Sequence, residues 1–270
     1  MSRKISIIGS GAIGEALLSG IISSGDYPLN SVFSSDISPD RAKLIGERYG
    51  IETSTDNLKI VPSADIVILA VKPNLINDVA LEISKHIKKD TVVISVAAGV
   101  SVQQLTKRLP KSTKVFRVMP NMPMLVKEGM SVLVPGHDIS GDDLAVVEEI
   151  FSSVGTTLVV EEYMIDAVTA VSGSGPAYVA LFIESLIDAA VALGMTRDMA
   201  EKLALQTVSG TSKLMTDQNI SAVELKTMVT SPGGTTAEAL MTLEKQQFRT
   251  ALIEAVYSAY KKSVSLRGES

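Results

Sequence analysis

The 270-residue sequence has no cysteine. That removes any disulfide framework, any thiolate metal site and any cysteine nucleophile, and it fits a reducing compartment. Histidine is almost as scarce. His86 and His137 are the only two and stand far apart in the chain. A histidine-based metal centre or a serine-histidine triad therefore has little to draw on, no metal is expected, and both histidines are expected at the surface. Basic runs are missing too: the longest clusters are pairs, such as Lys88-Lys89 and Lys261-Lys262. No stripe of the kind that neutralises a nucleic-acid backbone is present, so no nucleic-acid partner is expected. Repeats, low-complexity tracts and Pro/Ser-rich tethers are also lacking.

What remains is an ordinary globular composition, with 46% hydrophobic residues, 20% charged residues and a formal net charge of -5. Such a chain buries a core and does not stay disordered. Arg3 and Lys4 ahead of ISIIGSGAIGEALLSGII look like a secretory signal until Glu15 and the glycine spacing are weighed. A second apolar run, Ala177 to Met195, carries Glu184 and Asp188 four residues apart, on one helical face. It is expected to be a buried core helix, with no membrane span, and the cytoplasm is the expected location.

Up to about residue 161, short β-branched runs alternate with helical stretches. The expected strands are 4–8, 31–35, 66–71, 91–96, 114–119, 130–135 and 157–160, with helices at 12–24, 40–49, 75–86 and 142–153. Strands apolar at nearly every position are those covered by helices on both faces. The fold class is therefore α/β: a Rossmann-type N-terminal domain with a mostly parallel sheet over 1–161, followed by an all-α C-terminal domain over 162–270. The last helices are too apolar for a small domain that must also show a surface, so a homodimer or higher homo-oligomer formed through them is expected.

The first strand runs into Gly9-Ser10-Gly11-Ala12-Ile13-Gly14 and then a helix, the context in which GxGxxG has a mechanism. Gly9 allows the tight turn and Gly11 the approach of a pyrophosphate. Gly14 lets the helix pack, and the helix N-terminus offers its N–H groups and dipole. At the end of the second strand stand Ser34, Ser35 and Asp36, with Arg41 further on. A carboxylate at Asp36 suits the ribose hydroxyl of NADH, whereas the serines and Arg41 suit the extra phosphate of NADPH, and the choice between them stays open. Ser38 followed by Pro39 reads as a helix cap and first turn. Val71-Lys72-Pro73, Ala97-Ala98-Gly99 and Asn121 follow further parallel strands, where ligands of open α/β sheets bind. In the helical half, Ser172 to Gly175 precede a helix that Pro176 would open. Ser231-Pro232-Gly233-Gly234-Thr235-Thr236 leaves backbone N–H groups bare at a helix mouth, a place for a small carboxylate, with Ser231 as a possible cap.

Taken together, GxGxxG at Gly9, AVKP at Ala70, AAGV at Ala97, RVMPN at Arg117, SGSGPAY at Ser172 and SPGGTT at Ser231 resemble, in order and spacing, the pyrroline-5-carboxylate reductase family over essentially the whole chain. The resemblance implies hydride transfer from NADPH or NADH to the C=N bond of 1-pyrroline-5-carboxylate, giving L-proline. It further implies cofactor contacts at Gly9, Ser10, Gly11, Ala12, Ile13, Gly14, Ser35, Asp36, Val71, Lys72, Pro73, Ala97, Ala98, Gly99 and Asn121. Substrate contacts are implied at Ser174, Gly175, Gly233, Gly234, Thr235 and Thr236, with the Thr236 hydroxyl at the ring nitrogen. The helix from Ala177 lacks the lysine that β-hydroxyacid dehydrogenases place there. A dinucleotide-binding regulator without catalysis would not need the helix mouth at Thr236.

Overall fold

The computed structural model describes residues 3–268. Among them, eight strands form one sheet: β1 (Ile5–Ile8), β2 (Val32–Ser35), β3 (Glu52–Ser54), β4 (Ile66–Leu69), β5 (Val92–Ser95), β6 (Lys114–Met119), β7 (Gly129–Pro135) and β8 (Gly155–Val159). The helices that cover it are α1 (Ala12–Ser24), α2 (Pro39–Tyr49), α3 (Ile76–Ile83), α4 (Val102–Thr106), α5 (Gly141–Ser152) and α6 (Ile165–Val168). The rest of the chain is α7 (Gly175–Ala192), α8 (Arg197–Gln218), α9 (Ala222–Met228), α10 (Thr235–Lys245) and α11 (Phe248–Gly268).

Strand order is β3-β2-β1-β4-β5-β6-β7-β8, and every neighbouring pair is parallel except β6 with β7. The chain winds outward from β1 to β3 and then returns to β4. The order therefore reverses between β1 and β4, and their carboxyl ends border the crevice where open α/β sheets bind ligands.

Why the strands are apolar throughout is visible along β4. Ile66 and Ile68 pack with Leu17, Ile21, Phe116 and Phe151 on one face, while Val67 and Leu69 pack with Ile76, Ile83, Leu105 and Ile165 on the other. Successive side chains point to opposite faces, so α1, α2 and α5 seal one side and α3, α4 and α6 the other. Ser38 caps α2 as expected, its hydroxyl accepting from Arg41 N, with Pro39 in the first turn.

Several expectations need correction. β3 was not anticipated, because a three-residue polar edge strand leaves no apolar pattern. α4 was missed as well, although Ser101 and Gln104 form a capping box at its start. β4 stops at Leu69, so Ala70 to Lys72 belong to the loop, and α3 is shorter than 75–86, preceded by a 3-10 turn at Pro73–Leu75.

The chain divides into two compact units, one ending at Ser174 and taking back the segment from Ala259, the other being Gly175–Ser258. In the second unit only Ile187, Ala200, Ala204 and Leu225 are buried hydrophobics among the described residues. α7 was expected to be a buried core helix. Instead Val179, Leu181, Phe182, Leu186 and Val191 are exposed, as are Glu184 and Asp188. The helical stretch Glu162–Ala192 is long and apolar enough, by length and composition, to cross a membrane, and 6% of its apolar window is buried. One copy of this unit has too little neighbouring surface to cover its own apolar faces.

The core reading is testable at Phe116, which is fully buried in the middle of β6. Phe116→Ala is expected to lower the free energy of unfolding by about 3–5 kcal/mol. A urea titration followed by circular dichroism measures it, and a loss smaller than about 1 kcal/mol would contradict a close-packed site there.

Candidate functional site

The turn after β1 is shaped by three glycines with three different reasons to be glycine. Gly9 has φ +96°, and a Cβ on it would lie 2.7 Å from the Ala70 carbonyl oxygen at the end of β4. A Cβ on Gly14 would lie 2.0 Å from the Gly9 carbonyl oxygen, so α1 could not seat against the turn. Gly11 is different, because a Cβ there would meet nothing within 4 Å. Its missing side chain leaves open space at the helix mouth, the space a pyrophosphate would use. Gly11 is also the N-cap of α1 and no side chain caps that end, which leaves the first-turn N–H groups of Ala12 and Ile13 available to an anion. The chain's own residues thus fit a dinucleotide. A surface cavity lined by Lys4, Asn30, Phe33, Glu52 and Lys59 opens near the amino ends of β1 to β3, the wrong end of the sheet for that chemistry.

Beside the turn, Asp36 uses both carboxylate oxygens on backbone. Oδ2 accepts from Ser10 N at 2.9 Å and Oδ1 from Ser38 N at 3.0 Å. The carboxylate is held at the tip of β2 without a cationic partner among the described residues. Arg41 donates from Nε to the Ser10 carbonyl at 2.7 Å and pairs with Glu15 in the first turn of α1. Arg48 pairs with the same carboxylate, and the Tyr49 hydroxyl donates to it at 3.1 Å. Burial pushes the Glu15 pKa up, but the hydrogen bonds from Arg41, Arg48 and Tyr49 outweigh it and hold the carboxyl below its usual range. Nothing in the sequence marked Glu15 beyond its cost to a signal peptide.

Three residues expected to touch cofactor are otherwise engaged. Ser10 is buried, its N–H given to Asp36 and its hydroxyl 2.9 Å from that of Ser34. Ser35 is fully buried and donates to Asn57 Oδ1 at 2.7 Å. The Asn121 amide donates to Ser172 O at 3.2 Å and Ser172 Oγ at 3.3 Å, and its oxygen accepts from Met130 N at 2.8 Å. These side chains brace the site from behind. Val71 is half-buried and Lys72, Pro73 and Ala98 are exposed, all in the loops after β4 and β5. Ala97 is buried, and Gly99 takes φ +77° with open space around it.

Sequence reasoning also overlooked an ion pair made by a buried arginine. Arg117 in β6 is 2% exposed, and its Nη1 lies 3.4 Å from Glu162 Oε1, which also accepts from Val102 N at 2.8 Å. An arginine inside the apolar run KVFRVM was the available signal, since a buried charge needs a partner from elsewhere in the fold. Glu162 thereby ties β6 to the start of α4, just past the Ala97–Gly99 loop.

Ser172 to Gly175 do not form a helix-opening turn. Thr169–Gly173 is a π-helical turn, Ser174 N donates to Thr169 O at 2.9 Å, and α7 starts at Gly175 with Pro176 in its first turn. Such π-bulges recur at functional sites. Ser174 itself is half-buried.

In the second unit, α10 begins at Thr235, with Gly234 as N-cap and no side-chain cap. Ser231 does not cap it and Pro232 lies outside the helix, in the turn. Gly233 has φ +65°, and a Cβ on Gly234 would come within 2.4 Å of Ser231 Oγ. The two glycines fold the turn back so that the N–H groups of Thr235 and Thr236 face away from any internal acceptor in the helix. Thr236 is half-buried in this first turn. No group of three or more potential metal-binding side chains occurs among the described residues.

Comparison with known proteins bears on both units. A family model described as pyrroline-5-carboxylate reductase dimerisation matches residues 162–266, and one described as NADP oxidoreductase coenzyme F420-dependent matches residues 4–99. A pyrroline-5-carboxylate reductase of Escherichia coli (strain K12) is 41% identical over 266 residues, covering 98% of this chain and 99% of its own. The Methanosarcina acetivorans enzyme of that name is 41% identical over 265 residues, covering 98% of each. Among solved structures, a pyrroline-5-carboxylate reductase from Coxiella burnetii superposes with a TM-score of 0.93 at 35% identity, over 98% of this chain and 99% of that one. A Plasmodium falciparum pyrroline carboxylate reductase with NADP bound gives 0.87 at 32% identity, over 98% of each.

The glycine geometry separates folding from binding. Gly14→Ala should destabilise the protein by about 1–3 kcal/mol even without ligand, because backbone must move. Gly11→Ala should leave unfolding within about 1 kcal/mol of the parent yet weaken dinucleotide binding about tenfold or more. Thermal unfolding and NADH titration of both variants check this. Parental affinity in Gly11→Ala would rule out the turn as the phosphate site.

Proposed function

Because this chain belongs to the pyrroline-5-carboxylate reductase family, we propose that it transfers a hydride from NADPH or NADH to the C=N bond of 1-pyrroline-5-carboxylate, giving L-proline. The observation that carries this is the presence, in one chain, of a dinucleotide turn open only at Gly11 and an uncapped, glycine-turned helix mouth ending in Thr235-Thr236. The nicotinamide supplies the hydride. The imine carbon takes its two electrons, the C=N π pair moves to nitrogen, and the nitrogen ends with a proton.

The residues of the chain bind and orient. Gly9, Gly11 and Gly14 shape the phosphate turn, and the Ala12 and Ile13 N–H groups hold the charge. The N–H groups around Gly233, Gly234 and Thr235 hold the substrate carboxylate, and the Thr236 hydroxyl meets the ring nitrogen, orienting the imine and relaying its proton. Ser174 and Gly175 stay assigned to the substrate by the family pattern. Lys72, Pro73, Ala98 and Gly99, on loops after parallel strands, are assigned to the nicotinamide side of the cofactor.

The protein is homo-oligomeric as its dimerisation region implies. We assign the contact to the C-terminal helices, since the exposed apolar residues of α7, among them Leu181 and Phe182, need a cover. A second subunit accounts for them better than a bilayer does, because Glu184 and Asp188 stand in the apolar stretch of α7 and neither has a place in hydrocarbon. A cytoplasmic location follows the same reading.

Loss of nicotinamide absorbance on mixing the protein with 1-pyrroline-5-carboxylate and NADH or NADPH tests the reaction directly. Thr236→Ala should lower kcat/KM by at least about tenfold, the worth of a hydrogen bond made in the transition state, while dinucleotide binding persists. Unchanged turnover in that variant would remove Thr236 from the mechanism.

A further inference from the structure

Given the reductase function proposed for this chain, we infer that it prefers NADH to NADPH, and that Asp36 and Glu15 together set the preference. In a dinucleotide fold the tip of β2 faces the adenosine ribose, whose 2′ position carries a hydroxyl in NADH and a phosphate in NADPH. At that tip stands Asp36, fixed by the N–H groups of Ser10 and Ser38. Two backbone donors hold the carboxylate in place, so it cannot swing aside to admit a phosphate at no cost. Its remaining lone pairs suit a ribose hydroxyl, which donates.

A phosphate could still be accepted if positive groups outweighed Asp36. The candidates are all engaged elsewhere. Ser34 and Ser35 are buried, with hydroxyls directed to Ser10 and Asn57. Arg41 has its Nε on the Ser10 carbonyl and one terminal nitrogen, Nη2, on Glu15. Arg48 is drawn to the same carboxylate. Of these groups only Ser38 keeps a hydroxyl proton to give, and it is neutral. Two guanidinium charges are thus matched by Glu15 and Asp36, and the cluster offers a doubly charged phosphate no net attraction. Glu15 acts as a positioning residue: it keeps Arg41 and Arg48 against α1, on the helix side of the turn. It forms three polar contacts with groups of α2, and the one to Arg41 would be lost if Arg41 turned outward.

The test is equilibrium binding of NADH and of NADPH to the full-length protein without imine, followed by nicotinamide fluorescence or calorimetry. The expected Kd for NADPH is about tenfold or more above that for NADH, the order of penalty a fixed like charge imposes. Asp36→Ser should narrow that ratio, and Glu15→Gln should narrow it independently by freeing the guanidiniums. Equal or tighter binding of NADPH by the unmutated protein overturns the inference, whether or not the variants fold. A ratio unmoved in both folded variants overturns the assignment to these residues. Binding of neither dinucleotide would defeat the reductase reading itself, and this inference with it; binding without turnover would defeat only the reaction.

Discussion

The close approach of the Gly9–Gly14 turn to the end of β4 is the constraint on which the rest of the sheet unit depends. Gly9 lies against the Ala70 carbonyl and Gly14 against the Gly9 carbonyl, at distances where no Cβ fits. That contact seats α1 so that its own Leu17, Leu18 and Ile21 enter the core. It also directs the unpaired N–H groups of the helix into the crevice between β1 and β4. Once α1 is seated, Glu15 projects from its first turn toward α2 and collects Arg41, Arg48 and Tyr49. The ion-pair cluster is therefore a consequence of the glycine contact. Shifting the turn would misplace the phosphate donors and the charge pattern around Asp36 at once.

The helical unit obeys the opposite economy. The sheet unit buries every residue of β1, β4 and β5, whereas Gly175–Ser258 leaves most of its large apolar side chains open in a single chain. Helices packed in pairs have only narrow faces to offer each other, and α7 against α8 covers little beyond Ile187, Ala200 and Ala204. Apolar area of that extent is stable in water only when something covers it. On the contact proposed for the C-terminal helices, a second copy of the same surface would supply that cover. Stability of this unit is then tied to assembly, and protein concentration belongs in any account of it.

Legibility in the sequence followed burial. Strands enclosed on both faces announced themselves as apolar runs, and α1, expected at 12–24, spans those residues. Short or polar elements did not: β3 is Glu-Thr-Ser, and α4 is five residues long with its capping box as the only cue. The reversal of β7 against β6 leaves no trace in composition, because a strand sealed on both faces looks the same in either direction. In the site, Gly9 and Gly14 are legible because a positive φ or a close backbone approach there leaves room for glycine alone, whereas Gly11 meets neither demand. The serines and Asn121 are less legible, since a hydroxyl or amide near a ligand loop looks the same whether it faces the ligand or braces the loop. Ser10, Ser35 and Asn121 brace it. Arg117 and Glu162 pair across residues distant in the chain, which no local pattern reveals.

The composition and the chemistry agree at a deeper level. Reduction of an imine requires no strong nucleophile and no group poised between acid and base near neutral pH, because the nitrogen of the substrate is itself the basic centre. The groups assigned to the substrate are backbone N–H donors at Gly233, Gly234 and Thr235 and the hydroxyl of Thr236, none of which titrates in the physiological range. The role proposed for them is to hold a carboxylate and a ring in one orientation, and positioning of that kind can supply a large share of a rate enhancement. A chain with no cysteine and two exposed histidines is therefore not short of catalytic material for this reaction. In the proposed site, glycine and threonine stand where a hydrolase would need histidine or cysteine, and backbone N–H groups take on the work those side chains would otherwise do.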